Sequence, residues 1–343
     1  MVVNPMPSTT VLVTGVGSTT ALSVIKGLRQ QDAFPVRIIG TDTHPHNLIA
    51  GSAFCDRFYT VPPADDSGYL AILLEICLRE QAQVLIPIID PELLVLSEAK
   101  DRFATVGVTV VVSDPDTIRV CNDKYATADF FRRHGIPTPD TWLSDELPAT
   151  EDLPYPLFVK PRRGMSSRDA FRVDSPQELR QAQARVPDLI VQRCLIGEEY
   201  TTDLLADLNG DILSVVPRLR LETKAGIIYK GRTCHHDTLI SWGQRIGKAL
   251  KIKGPANLQC IVTGDDPSYF EVNPRFSAGL PLTIAAGVNG PSWLLRLMAG
   301  ERPPQGLLPF MPVMMTRYWS EVFHPVDSTV QQPTLPEEIR SCQ

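Results

Sequence analysis

The segment Tyr269-Phe270-Glu271-Val272-Asn273-Pro274-Arg275 sets a carboxylate, an amide and a guanidinium two residues apart. Side chains alternate along an extended strand, so all three leave on one face. Such a face can hold Mg2+ against a phosphorylated ligand. The ion keeps part of its water and takes one or two carboxylate oxygens plus phosphate oxygens, while a nearby guanidinium neutralises a phosphoryl group in transfer. Upstream, Asn257-Leu258-Gln259-Cys260-Ile261-Val262 reads as a second strand, and Gly264-Asp265-Asp266-Pro267 as the turn between the two. The pair predicts a hairpin with Gln259 opposite Glu271 over one metal-phosphate site. A polar surface hairpin without a site is the competing reading of the same pattern.

The elements that must position this hairpin belong to a chain of 343 residues, long enough for two or three compact units. Hydrophobic content of 43% and charged content of 21% are those of an ordinary globular protein. No apolar run approaches the roughly 18 residues of a spanning helix, and Met1 to Thr10 lack the basic start and apolar core of a signal peptide. The expectation is a cytoplasmic protein with no membrane role. Seven cysteines, scattered without a C-x-x-C pair, read as reduced structural thiols. A net charge of −6 gives no basic stripe for nucleic acid. The histidines, the His235-His236 pair included, lack zinc-site spacing.

Thr10 to Thr14 is a short buried-type strand, followed by Gly15-Val16-Gly17-Ser18 and a helical stretch from Thr19 to Arg29. A strand Val36 to Gly40 ends at Thr41-Asp42. A helix-strand pair then runs from Tyr69 through Val84 to Ile89, and Val108 to Val112 closes the series. Strands alternating with helices imply a parallel sheet whose ligands meet the carboxyl ends of its strands, here Gly15-Val16-Gly17, Asp42 and Asp90-Pro91-Glu92. The G-x-G lacks a third glycine, which favours a tight strand-to-helix turn over a dinucleotide site. Asp42 is open to a ribose, a substrate amine or a plain turn. Beyond a helix from about Asn122 to Arg133, Gly135, Pro137 and Pro139 mark a hinge-like boundary. Strands at Pro156 to Pro161, Arg172-Val173 and Asp188 to Gln192 follow, and the Asn209-Gly210 turn predicts a further hairpin.

In order, the chain presents Asn122-Asp123-Lys124, Phe158-Val159-Lys160-Pro161, a Gly/Ser loop, Val191-Gln192 with Glu199, then Gln259, Glu271, Asn273 and Arg275. This series resembles the ATP-grasp superfamily, in particular the carbamoyl-phosphate synthetase large subunit and related stand-alone carboxylate–amine ligases, over about residues 10 to 300. The resemblance implies an α/β plus α+β protein: a pre-ATP-grasp parallel-sheet domain (1–115), a small lobe with its linker helix (116–192), a large lobe (193–305), both lobes with antiparallel sheets, and an extension (306–343) with a flexible end. It also implies ATP and Mg2+ as cofactors, with two ions and Mn2+ as a substitute.

By the same resemblance Lys124 and Lys160 contact nucleotide phosphates, and Gly164, Ser166 and Ser167 fold over them as a lid. A lone ammonium inside an apolar strand is costly, and phosphates would relieve it. A surface-seeking or ion-paired Lys160 is the plainer alternative. The adenine hinge falls on Gln192, Arg193, Cys194 and Leu195, with Glu199 on the ribose. Gln259, Glu271 and Asn273 hold the metal, and Arg275 stabilises the transferring phosphoryl group. The lid departs from the family in having Gly164 as its one glycine, and Arg193 stands where the synthetase has an acidic residue. The implied reaction joins a small carboxylate to an amine, both amino-acid-like, through an acyl phosphate. Carboxylation or phosphorylation without an amine, and a non-catalytic nucleotide sensor, are the alternatives. Arg218 and Arg220, two apart on a strand, suit a carboxylate or phosphate, or surface salt bridges. Asp90 and Glu92 suit a substrate ammonium. A homodimer is compatible with all of this.

Overall fold

A computed structural model describes residues 8–31, 33–164 and 169–325. Within them the strands form three sheets. The first unit runs β1 (Thr9–Val13), α1 (Thr19–Gln30), β2 (Val36–Asp42), β3 (Arg57–Thr60), α2 (Tyr69–Glu80), β4 (Val84–Ile86), α3 (Asp90–Glu98), α4 (Lys100–Ala104) and β5 (Thr109–Val110). Its five parallel strands are ordered β3-β2-β1-β4-β5. The near-continuous apolar run of β1 follows from burial on both faces. Val11 and Val13 enter one core, and Leu12 enters another with Ile39 and Leu85.

Two helices, α5 (Pro115–Asn122) and α6 (Lys124–Arg133), then lead to a four-stranded antiparallel sheet, β6-β9-β7-β8. It comprises β6 (Thr141–Leu143), β7 (Leu157–Pro161), β8 (Phe171–Val173) and β9 (Leu189–Arg193), with α7 (Pro176–Arg185) covering it. The helix expected from about Asn122 to Arg133 is α6, and a separate helix, α5, precedes it. Asp123 breaks them apart in extended conformation, and its carboxylate accepts from the N–H groups of Tyr125 and Ala126 to start α6. Both helices pack on the large lobe: Phe131 meets Tyr269 edge to face, and Thr117 donates to the Leu250 carbonyl at 2.7 Å.

The large lobe contains β10 (Glu198–Ala206), β11 (Ile212–Lys224), β12 (Ile227–Thr233), α8 (Asp237–Ala249), β13 (Pro255–Thr263), β14 (Asp266–Asn273), α9 (Leu280–Ala285), α10 (Gly290–Met298) and β15 (Met314–Thr316). Its sheet order is β14-β13-β10-β11-β12-β15. The Asn209-Gly210 turn joins β10 to β11 as its sequence demands, and β15, contributed by the segment read as an extension, pairs with β12. The parallel-sheet unit and the large lobe share one core, in which Val11, Val13 and Ile86 meet Leu205, Leu213 and Phe276. The small lobe keeps its own, built on Leu157, Val159, Leu179 and Val191. The six cysteines in the described residues are free, and no described helix is long and apolar enough to cross a membrane. The tail expected to be flexible, 326–343, lies outside the described residues.

Two acidic groups offered to a substrate by the sequence serve the fold instead. Gly15 turns with φ +56°, and the turn is held by Asp42, which accepts from the Gly17 N–H at 2.8 Å and the His44 N–H at 3.1 Å. Glu92 is 1% exposed. It accepts from Thr14 Oγ1 and Tyr69 OH (both 2.5 Å) and from the N–H groups of Ile88 (2.8 Å) and Ile89 (2.9 Å). The N-cap residue of α3, Ile89, has no polar side chain, so Glu92 reaches back to satisfy its N–H. Burial pushes the Glu92 carboxyl above the ordinary range, against the pull of these donors. Glu92→Ala orphans the Thr14 and Tyr69 hydroxyls and the Ile89 N–H, while the Ile88 N–H keeps Thr14 Oγ1 at 3.1 Å, and unmet buried donors are expensive. A loss on the order of 4 kcal/mol is expected in chemical denaturation, with Glu92→Gln retaining a substantial part.

Candidate active site

The two antiparallel sheets and the carboxyl ends of the parallel strands enclose one cavity of about 940 Å3. Seven Lys and Arg side chains line it against three Asp and Glu, in a chain of net charge −6. A concave site so enriched in one sign concentrates an oppositely charged ligand.

Its floor is the hairpin of β13 and β14. Gln259 pairs with Glu271 and Asn257 with Asn273, as the alternation requires, but Cys260 pairs with Tyr269. Phe270 is therefore an extra residue, a bulge, which kinks the strand beside the site. Tyr269 turns into the core at 0% exposure, and Phe270 and Glu271 both line the cavity. Asn273 Nδ2 donates to Glu271 Oε1 at 3.1 Å and to Asn257 Oδ1 at 3.2 Å, so Asn257 orients the amide. Arg275 lies past the end of β14 and does not share its face by alternation. A turn bonding its N–H to the Asn273 carbonyl brings it back, and its guanidinium grips Asp90 of α3 through Nε (2.7 Å) and Nη2 (2.9 Å). Burial opposes the charge on Arg275, but Asp90 raises its pKa above the ordinary value. Asp90 is thus committed to this pair, not open to a substrate ammonium.

Lys160 of β7 enters from the opposite sheet at 5% exposure. Its Nζ stands 5.1 Å over the Phe270 ring and forms no ion pair among the described residues. Burial pulls its pKa down to about 8, with Glu271 opposing and Lys124 adding to the fall. Lys124, in the first turn of α6, donates through Nζ to the Gly164 carbonyl at 2.8 Å. The base of the lid is tied to the same helix, since Asp123 accepts from Arg162 Nε at 2.8 and 2.9 Å. Ser166 and Ser167 lie outside the described residues.

At the hinge, the Arg193 N–H donates to the Asp140 carbonyl and the Cys194 N–H to Pro156. Of the three N–H groups of Arg193 to Leu195, that of Leu195 is the one without an internal acceptor among the described residues. Gln192, 3% exposed, spends its amide on Thr141 Oγ1 at 2.8 Å. Glu199 faces the cavity paired to Arg220 Nη1 at 2.8 Å. Arg218 is buried, the Arg220 side chain is 8% exposed, and both line the cavity, which excludes the surface salt-bridge reading. Phe270 and the Ser18 to Thr20 segment also line the cavity. Nothing in the local pattern singled them out, because a bulge and a contact between distant units bring them there.

Among the described residues no cluster of three or more His, Cys, Asp or Glu can hold a metal unaided. The oxygen donors of Gln259, Glu271 and Asn273 include one carboxylate. That set suits a hard divalent cation whose remaining ligands are water and phosphate.

Residues 185–321 match the family described as "ATP-grasp in the biosynthetic pathway with Ter operon", and residues 11–111 match "PylC-like, N-terminal domain". A carbamoyl-phosphate synthase of Methanobrevibacter smithii is 22% identical over 264 residues, covering 72% of this chain and 70% of the relative. The carbamoyl phosphate synthase large chain of Thermotoga neapolitana is 26% identical over 60% of this chain, which spans 21% of that relative's length. In three dimensions the chain is similar to N5-carboxyaminoimidazole synthetase from Staphylococcus aureus complexed with ADP, with a TM-score of 0.71, 13% identity and coverage of 90% of this chain and 82% of that one. The chain thus carries an ATP-grasp domain behind a PylC-like N-terminal domain.

Proposed function

We propose that this chain is an ATP- and Mg2+-dependent ligase that joins a small carboxylate to an amine, releasing ADP and phosphate. The observation that carries the reading is the convergence of Glu271, Asn273 and Gln259 from one sheet with Lys160 from the other, over a cavity rich in positive charge. A carboxylate and two amides gathered beside a buried lysine provide for a metal and a phosphate chain together, beyond the contacts that read an adenine and a ribose.

Each group has a defined task. Leu195 offers its N–H to the adenine edge, and Glu199 accepts from ribose hydroxyls. Lys160, with Lys124 and the lid, binds the phosphate chain. Glu271, Asn273 and Gln259 would hold Mg2+, which supplies charge neutralisation across the phosphates when bound. Arg275, fixed by Asp90, faces the developing charge where the substrate carboxylate attacks the γ-phosphate. The resulting acyl phosphate reacts with the amine, which displaces phosphate and forms the amide. No side chain acts as a nucleophile, so catalysis rests on positioning and electrostatics, and excluding water from the cavity would protect the acyl phosphate.

The test is a screen of carboxylate and amine pairs for ADP release, with mass spectrometry of the product. ADP release that requires both partners and yields their amide is expected. Release supported by bicarbonate or by a carboxylate alone, with no condensation product, assigns the site to carboxylation or phosphorylation instead. Tight MgATP binding with no turnover across the screen leaves a nucleotide sensor.

A further inference from the structure

We infer that Arg218, backed by Arg317, docks a carboxylate of the substrate that is not the one activated, so that the amine joined here is an amino acid and not a simple amine. Which substrate carries that carboxylate rests on the ligase reading above.

The inference comes from a charge count in one corner of the cavity. Arg218 is 1% exposed, and its Nη2 donates to Asp203 Oδ1 at 2.5 Å and Ser277 Oγ at 2.8 Å. Its Nε is buried without a partner, and its Nη1 makes no hydrogen bond among the described residues. Nη1 lies so close to Gly279 on the cavity wall that a Cβ there would stand 1.7 Å from it. Glycine leaves room for the guanidinium at this place.

Arg317, half-buried, follows the edge strand β15 and donates to the carbonyl of Ala278, one residue away from Gly279. Its Nε is also buried and unpartnered, and burial together with the nearby Arg218 lowers its pKa. The two guanidinium groups thus flank one short segment of the wall. Around them Arg218 has Asp203, Arg220 has Glu199 and Arg275 has Asp90, but Arg317 has no carboxylate among the described residues. With Glu271 acting on Lys160, five buried or half-buried cations, Arg218, Arg220, Arg275, Arg317 and Lys160, share the four carboxylates of Asp203, Glu199, Asp90 and Glu271. A guanidinium stays charged at any physiological pH, so the deficit calls for an anion from outside the chain.

The donors describe that anion. Ser277 accepts from Arg218, which leaves its own proton free for a second oxygen, and Arg218 Nη1 points to the same wall. Two donors on neighbouring groups suit the two oxygens of a carboxylate. The subsite adjoins Arg275, where the acyl phosphate would form. An amino acid anchored here by its carboxylate would hold its amine within reach of that centre, whereas a simple amine would leave Arg218 Nη1 and the Ser277 proton unmet.

The test is calorimetry with the proteinogenic amino acids and their carboxamides as probes, each with and without magnesium and the non-hydrolysable nucleotide AMP-PNP. At least one acid should bind, with its carboxamide weaker by about 10- to 100-fold, the worth of a charge-assisted contact. Arg218→Lys and Ser277→Ala should weaken the acid and bring the acid-to-amide ratio toward one. Should Arg218→Lys fail to fold, Ser277→Ala and Arg317→Ala carry the same comparison. Binding of no acid, equal binding of acid and amide, or an unchanged ratio in the folded variants overturns the assignment. Uptake of magnesium and AMP-PNP in the same samples reports separately on the ligase reading, since its absence sinks that reading and leaves the acid-to-amide ratio to decide the subsite.

Discussion

Lys160→Met is expected to lower ATP-dependent turnover by about 10²- to 10³-fold or more while making the protein more stable, the opposite of what a core substitution ordinarily does. The stability gain follows from the sign of the titration. Burial sets the Lys160 pKa at about 8, below the ordinary 10.5. Below pH 8 the lysine is protonated in the folded and the unfolded chain alike, and the folded state carries the full cost of burying the charge. Between about 8 and 10.5 the unfolded chain holds a proton that the folded one has lost, so stability rises with pH across that window and the cost fades. Read as a free energy, the shift corresponds to roughly 3 kcal/mol at neutral pH, which methionine of similar shape removes. Denaturation of both proteins at pH 7 and pH 10 measures it: the variant should lead at pH 7 and lose most of its lead at pH 10.

The same titration governs ligand binding. An anion beside Lys160 restores its proton, so MgATP affinity should fall as pH climbs past about 8, at most tenfold per pH unit, and Lys160→Arg should flatten the decline. A wild-type affinity that holds level from pH 7 to 9.5 would place the phosphates elsewhere. Equal turnover in wild type and Lys160→Met would remove the lysine from the site altogether.

What could be read from the sequence was whatever local geometry dictates. A two-residue period placed Gln259, Glu271 and Asn273 on one face, and the Asn209-Gly210 turn fixed the hairpin of β10 and β11, because strands and tight turns are set by neighbours in the chain. Strands alternating with helices signalled the parallel sheet of the first unit. What was illegible depended on contacts between distant segments. The bulge at Phe270 has no local signature, so the residue beneath Lys160 went unnoticed. Glu92 looked like a ligand group at a strand end, when Thr14 and Tyr69, far along the chain, consume its oxygens. Arg317 stands 99 residues from Arg218 in sequence and meets the same wall only because β15 pairs with β12. The site's chemistry was written in residue types, whereas the division of those residues between catalysis and scaffolding was decided by packing.

Asp90 and Arg275 give that division its sharpest test. Asp90 opens α3 in the PylC-like domain, Arg275 follows β14 in the ATP-grasp domain, and two parallel bonds join them with side-chain exposures of 21% and 18%. If Asp90 bound a substrate ammonium, Asp90→Ala would raise KM for the amine and spare kcat. As the clamp of Arg275 it has a different signature. Removing it leaves a shielded guanidinium without its carboxylate, at roughly 3–5 kcal/mol in stability, and lets the group that should face the transferring phosphoryl drift. A fall in kcat of about 100-fold with little change in KM is expected, while Asp90→Asn, which keeps the shape and one acceptor, should lose less. The double variant decides between the two roles. Because Asp90 acts through Arg275, adding Asp90→Ala to Arg275→Ala should cost no further activity, whereas two independent contributions would multiply. A double variant much slower than Arg275→Ala alone would return Asp90 to the substrate and leave the inter-domain pair as a structural strut.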